Sequence, residues 1–219
     1  MNNKIDAISF DLDGTLYNHN QYVTAGFKRV SKIIKNREGV EIYDDLIKKY
    51  YYDEEYEKTF NVVLKKYGIP TETLPKFIRE YHDKIGNLNT YCGVKALLEE
   101  LSEDNMLAIV SDGKNVRAKI SETKIDDYFC YVMSTQDHNF TKNVSKPFDD
   151  LLEYLGVKAN SVLYVGNDPR VGYEHTNRLG MYTIWLRKGI HADNDPERYS
   201  VPNFQINTIS GLKKTIKRL

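Results

Sequence analysis

Two carboxylates, Asp11 and Asp13, stand two residues apart in Ser9-Phe10-Asp11-Leu12-Asp13-Gly14-Thr15, where the mostly apolar run Ile5 to Phe10 ends in a glycine turn. A carboxylate is ionised at neutral pH and needs no base to activate it, which suits Asp11 to attack on an electrophilic phosphorus. Asp13 is close enough in sequence to reach the same substrate, protonate the leaving oxygen and later take a proton from water. Two acids crowded against a phosphate dianion call for a divalent cation, and hard oxygen donors point to Mg²⁺. A hairpin is the competing reading of Asp13-Gly14, since Asp-Gly between apolar stretches is a common turn signal. The ends of the later strands decide between the two.

Three such ends carry suitable groups. Met106-Leu107-Ala108-Ile109-Val110 runs into Ser111-Asp112-Gly113, where a hydroxyl and nearby backbone N–H groups can hydrogen-bond phosphate oxygens; a plain Ser-Asp-Gly turn reads equally well. Lys146-Pro147 precedes a helix beginning near Phe148, so the proline stiffens the approach and holds Lys146 at the helix start, an ammonium able to balance a transferring phosphoryl group. Lys142 is a nearby competitor for that part. Val162-Leu163-Tyr164-Val165-Gly166 delivers Asn167-Asp168, with Asp168 the candidate cation ligand and an Asp-Pro turn the plainer account.

Parallel strands must bring these groups together. From Tyr91 onward helix and strand patterns alternate: a helix over Val94–Leu101, a strand over Met106–Ser111, a helix over Val116–Ile125 and a strand near Tyr131–Ser134. A helix over Phe148–Leu155, strands at Val162–Val165 and Tyr182–Leu186, a helix near Glu174–Leu179, and a final strand and helix at Phe204–Ile206 and Leu212–Ile216 continue the series. Such alternation predicts an α/β fold with a mainly parallel sheet, and the almost purely apolar strands predict burial on both faces. Between the first strand and Tyr91, Val23–Lys35, Ile42–Tyr67 and Leu74–Lys84 carry apolar residues at helical spacing among many Lys and Glu. Residues 1–16 and 90–219 are therefore expected to form a Rossmann-like core, and residues 17–89 a smaller all-helical domain.

In order and setting, DLDGT, Ser111, Lys146-Pro147 and VGND together resemble the motifs of the haloacid dehalogenase superfamily. The resemblance spans Ile5 to Gly180, and CGVKALLEELSEDNMLAIVSDG is similar to that family's helix and strand leading into its second motif. It implies Asp11 as nucleophile, Asp13 as acid and base, and Ser111 and Lys146 on the phosphate side, with Asp112 beside them where Asn is frequent. It further implies that Asp11, the Asp13 backbone carbonyl and Asp168 hold Mg²⁺, and that the helical insert is a cap. Dehalogenating relatives lack a carboxylate at the Asp13 position, so phosphoryl chemistry is favoured. The chain departs from the pattern at Gly172, where many members with this motif carry a second acid, and at Asn167, where others carry Asp or Glu. The junction Lys146 to Phe148 is short and follows a long polar stretch, Gln136 to Ser145.

Lys plus Arg and Asp plus Glu each total 31 in 219 residues, giving no broad electrostatic reason to expect nucleic acid or an anionic membrane as partner. No apolar stretch approaches the roughly 20 residues that span a bilayer, and Met1 to Lys4 is polar and leads into the first strand. Cys92 and Cys130 are too few for a disulfide framework, which favours a cytoplasmic setting. Helix packing accounts for the tyrosines clustered at 50, 51, 52, 56 and 67. His19, with Tyr17, follows the nucleophile loop and reads as a hinge or as pocket lining. The expectation is a Mg²⁺-dependent phosphatase acting on a small phosphorylated metabolite through an aspartyl-phosphate. The alternatives are a phosphomutase, or a binding or regulatory member with weakened chemistry.

Overall fold

Ala7–Phe10 forms the central strand β1, buried along its whole length. The computed structural model describes residues 4–53, 55 and 58–219. Around β1 lie β2 (Met106–Ser111), β3 (Tyr131–Ser134), β4 (Val162–Gly166), β5 (Tyr182–Leu186) and β6 (Phe204–Ile206), in the order β3-β2-β1-β4-β5-β6. Every pairing is parallel, and the order is that of a Rossmann-like sheet, with its reversal point beside β1. The strands are continuous apolar runs because helices cover both faces. On one face Ala7, Ala108, Val110, Tyr164 and Trp185 pack with Phe148, Leu151 and Tyr173.

The chain divides into two compact units, residues 1–19 with 88–219 and residues 20–87. The boundaries fall inside the expected 17–89 insert because Tyr17 bridges both Asp13 and Thr90, and the Tyr91 N–H donates to the Leu16 carbonyl at 3.0 Å. Those bonds keep residues 17–19 with the sheet.

The second unit consists of α1 (Asn20–Glu38), α2 (Tyr43–Tyr52), α3 (Thr59–Lys66) and α4 (Leu74–Asp83). Val23, Phe27, Val30 and Ile34 form the buried stripe of α1 and pack with Leu46, Phe60, Leu64 and Phe77. Each such side chain contributes about 1.5–3 kcal/mol when fully buried, so this core rather than helix propensity holds four charged helices together. The single helix expected over Ile42–Tyr67 is interrupted. Asp53 adopts an extended backbone, and its Oδ1 accepts the Glu55 N–H at 2.9 Å, a side-chain bond that competes with continuing the helix. Tyr50 packs edge-on to Phe27 and the Tyr67 hydroxyl donates to Asp45, whereas Tyr52 is exposed; Tyr56 lies outside the described residues.

In the first unit α5 (Val94–Ser102), α6 (Val116–Glu122), α7 (Lys146–Leu155), α8 (Tyr173–Leu179) and α9 (Leu212–Ile216) complete the fold. Helix α6 stops before Ile125 because Lys124 turns left-handed, at φ 55°. Among the described residues, no helix is long and apolar enough to cross a membrane.

Candidate active site

Phe10 stands level with Ile109 of β2 and Val165 of β4, so the chain leaves β1 at Asp11 between two strands that end in Ser111 and Gly166. The Asp11 N–H donates to the Val165 carbonyl at 2.8 Å, continuing the ladder one residue past the strand. Parallel strands of matched register bring their carboxyl ends to one edge, where open α/β sheets bind ligands. There a cavity of about 160 Å³ is lined by Asp11, Asp13, Ser111, Asp112, Lys142 and Asp168, together with Tyr164, Asn167 and His191. Of the residues expected at the site, Asp11, Asp13, Ser111, Asp112 and Asp168 thus meet.

Gly14 permits the turn after Asp13. Its φ is 83°, and a Cβ there would collide with the Asn167 side chain, so only glycine lets the loop that follows Asp11 lie against the end of β4. Asn167 is held in turn by Thr15, whose hydroxyl lies 3.4 Å from both Asn167 Oδ1 and Asp11 Oδ2.

Lys146 is not brought to this edge. It begins α7 with an exposed side chain and pairs with Asp150, because Pro147 sets it in the first helical turn, where its nearest carboxylate is one turn further along the helix. The buried ammonium at Asp11 belongs to Lys142: its Nζ donates to Asp11 Oδ1 at 2.7 Å and to the Tyr164 hydroxyl at 3.1 Å. Lys142, named from the sequence as the competitor, lies in the long polar stretch Gln136 to Ser145 that precedes the short Lys146-to-Phe148 junction.

Asp112, expected beside the phosphate, spends its Oδ1 on the protein. That oxygen accepts the Thr135 hydroxyl at 2.6 Å and the Lys142 N–H at 2.8 Å. Asp112 therefore tethers the loop that presents Lys142. The space beside Gly172 is bounded by Phe148, Tyr164 and Lys142; with no acid at 172, the Tyr164 phenol is the second partner of the lysine.

Asp13 is gripped more tightly than sequence suggested. Lys119 Nζ lies 2.8 Å from both of its oxygens, His19 Nδ1 lies 3.0 Å from Oδ1, and the Tyr17 hydroxyl bonds the same oxygen. Tyr17 and His19, read from the sequence as a hinge or as pocket lining, instead bond Asp13, and neither lines the cavity. The one trace of Lys119 in the sequence is its place in the buried stripe Val116, Lys119, Ile120 of α6, where an apolar residue is the norm.

The electrostatics follow from these contacts. Burial works to raise Asp13, but Lys119 and His19 outweigh it and hold the carboxyl well below the usual range. Burial, helped by the neighbouring Asp13 and Asp112, pushes Asp11 up against the pull of Lys142. Burial opposes the charge on Lys142, yet Asp11 keeps it firmly protonated. Burial also works to raise Asp168, but Arg170, at 3.2 Å, and His191 lower it.

The sequence of residues 8–186 matches the family of haloacid dehalogenase-like hydrolases. The chain belongs to that family. It is 27% identical over 228 residues to glyceraldehyde 3-phosphate phosphatase of Methanocaldococcus jannaschii, with 98% of each chain covered. Among solved structures it is similar to a predicted phosphoglycolate phosphatase from Haemophilus somnus (TM-score 0.75, 20% identity, 96% of this chain and 97% of that one). It also resembles a HAD-hydrolase of Bacillus subtilis bound to magnesium (TM-score 0.72, 16% identity, 98% and 99% covered). These structural likenesses concern the fold, a Rossmann-like parallel sheet with a helical insert.

Proposed function

We propose that this haloacid dehalogenase-like hydrolase is a Mg²⁺-dependent phosphatase that cleaves a small phosphorylated metabolite through an aspartyl-phosphate on Asp11. One observation carries the reading: a buried carboxylate, Asp11, hydrogen-bonded to the buried Lys142 and sharing a cavity of about 160 Å³ with Asp13, Ser111 and Asp168. A Lys–Asp pair buried for stability alone is a poor investment of desolvation energy, and its position at the open edge of the sheet supports a chemical use.

The donor set suits a small hard cation. Asp11, Asp13, Asp112 and Asp168 line the cavity with a single lysine among them, and Asp11 Oδ2 receives only the long Thr15 contact. Asp11, the Asp13 main-chain carbonyl and Asp168 would hold Mg²⁺, all through oxygen. When bound, the ion offsets the charge of the phosphoryl group and the carboxylates.

The remaining chemistry belongs to the chain. An Asp11 oxygen attacks phosphorus as the bond to the leaving oxygen breaks, and Asp13, which must enter the cycle protonated against the pull of Lys119 and His19, gives that oxygen its proton. Water then attacks the aspartyl-phosphate, Asp13 takes the proton, and inorganic phosphate departs with Asp11 restored. Lys142 balances the charge on Asp11 and the transferring group, and Ser111 offers a hydroxyl to a phosphoryl oxygen. The cavity suits a compact substrate, and the relative named a glyceraldehyde 3-phosphate phosphatase puts three-carbon phosphates first in the test.

That test is a phosphate-release screen over three-carbon phosphates, sugar phosphates, nucleotides and p-nitrophenyl phosphate, with and without Mg²⁺. Release is expected with Mg²⁺, and Asp11→Asn is expected to abolish it. An Asp11→Asn variant turning over at the wild-type rate defeats the reading.

A further inference from the structure

Lys119 is 1% exposed and belongs to the apolar stripe of α6, a place where an ammonium must find full compensation. It pairs with Asp13, at 2.8 Å to each oxygen. Contact with both oxygens fixes the plane of the carboxyl group as well as its position. The end of β2 is shaped to allow it: a Cβ on Gly113 would collide with Asp13 Oδ2 and come within 3.0 Å of Lys119 Nζ. Tyr17 and His19 also bond Oδ1. Asp13 lines the cavity and Lys119 does not, so the lysine reaches a substrate only through the carboxyl it holds.

On the reading proposed above, in which Asp13 handles the protons, we infer that Lys119 is a positioning residue for this reaction: its ammonium fixes the plane of the Asp13 carboxyl toward the leaving oxygen. A lysine that merely filled α6 would affect every substrate alike. One that aims a proton donor matters most where the leaving group needs a proton. An alkoxide needs one; p-nitrophenolate leaves without it.

The experiment compares kcat and KM of wild type, Lys119→Met, Asp13→Asn and the double variant on two substrates, p-nitrophenyl phosphate and the best alkyl phosphate from the release screen. Lys119→Met is expected to lower kcat on the alkyl phosphate about 10-fold or more beyond its effect on p-nitrophenyl phosphate, a fraction of the ~10²–10⁴-fold that general acid–base catalysis supplies. KM should stay within about 2-fold, because binding energy common to ground and transition states is untouched. In the Asp13→Asn background the same substitution should add less than about 2-fold, since the carboxyl it serves is gone. Equal losses on both substrates, or a full loss in the Asp13→Asn background, overturn the assignment. Lys119→Gln, which keeps a donor without the charge, gives the same comparison if Lys119→Met does not fold. An inactive wild type would defeat the phosphatase reading, whereas an active wild type with parallel losses would defeat only the role of Lys119.

Discussion

Replacing Lys142 and Lys146 in turn separates two lysines four residues apart whose surroundings differ completely. Lys142 Nζ sits 2.7 Å from Asp11 Oδ1 with its side chain 4% exposed, and at an effective dielectric constant of 20 their gross attraction is about 6 kcal/mol. Desolvation offsets much of that, and breaking a buried pair from one side costs about 3–5 kcal/mol. Protonation of Asp11, already favoured by burial and by Asp13 and Asp112, would soften the loss of stability but remove the carboxylate charge that the proposed attack on phosphorus needs. Lys142→Met, which keeps the buried stem, is therefore expected to lose about 10²–10³-fold in kcat, the range for one preorganised charge-stabilising donor. Lys146 is exposed and paired with Asp150 on its own helix, so Lys146→Ala should stay within about 2-fold of wild type. Both are read by release of p-nitrophenolate at saturating Mg²⁺, with circular dichroism confirming the fold. A large loss in Lys146→Ala with Lys142→Met active would refute the assignment of the site's cation.

Two further expectations rest on single side chains. Asp112→Ala should lower kcat about 10-fold by freeing the loop that carries Lys142, at a stability cost of about 1–3 kcal/mol for two lost bonds to a charged acceptor, while Asp112→Asn, which keeps an acceptor for Thr135 and the Lys142 N–H, should be milder in both assays; equal effects would remove the tether. Arg29 donates to the carbonyls of Glu80, Tyr81 and Lys84 at 2.7–3.0 Å, closing the end of α4, so Arg29→Met should cost about 1.5–3 kcal/mol in urea melts with kcat at 25 °C unchanged.

Strand and helix positions were readable because parallel strands buried on both faces are written as apolar runs, and β2, β4 and β5 start and stop close to where Met106, Val162 and Leu186 suggest. The break between α2 and α3 was hidden because the same Lys, Glu and Tyr spacing continues through it, while the Asp53 side-chain bond to the Glu55 N–H competes with continuing the helix. At the candidate site, groups fixed by the end of a strand were legible: Asp11, Ser111 and Asp168 follow directly from strand limits and register. Groups delivered by loops or by the inner face of a helix were not: Lys142 stood only as an alternative to Lys146, and Lys119 was missed. Lys142 depends on how Asp112 folds a loop 30 residues away, and Lys119 on which face of α6 turns inward. Neither is a matter of local spacing.

The pairing of each carboxylate sorts the acids by what they can do. Asp11 and Asp13 each hold a lysine that is at most 4% exposed, so their counter-charges are unscreened and fixed. Asp168 holds Arg170, whose side chain is 44% exposed, and also contacts His191 at 3.4 Å; an ion pair to an arginine so open to water is worth only about 0–1 kcal/mol. On the proposed reading Asp168 can therefore exchange Arg170 for a divalent cation at little cost, while Asp11 and Asp13 cannot surrender their lysines without leaving a buried ammonium unpaired. On the proposed reading, the same asymmetry accounts for Gly172 in place of an acid. With Lys142 balanced by Asp11 and Tyr164, and Lys119 by Asp13, a further carboxylate at 172 would face Phe148 and Tyr164 and add negative charge to a cavity where burial already pushes Asp11 upward.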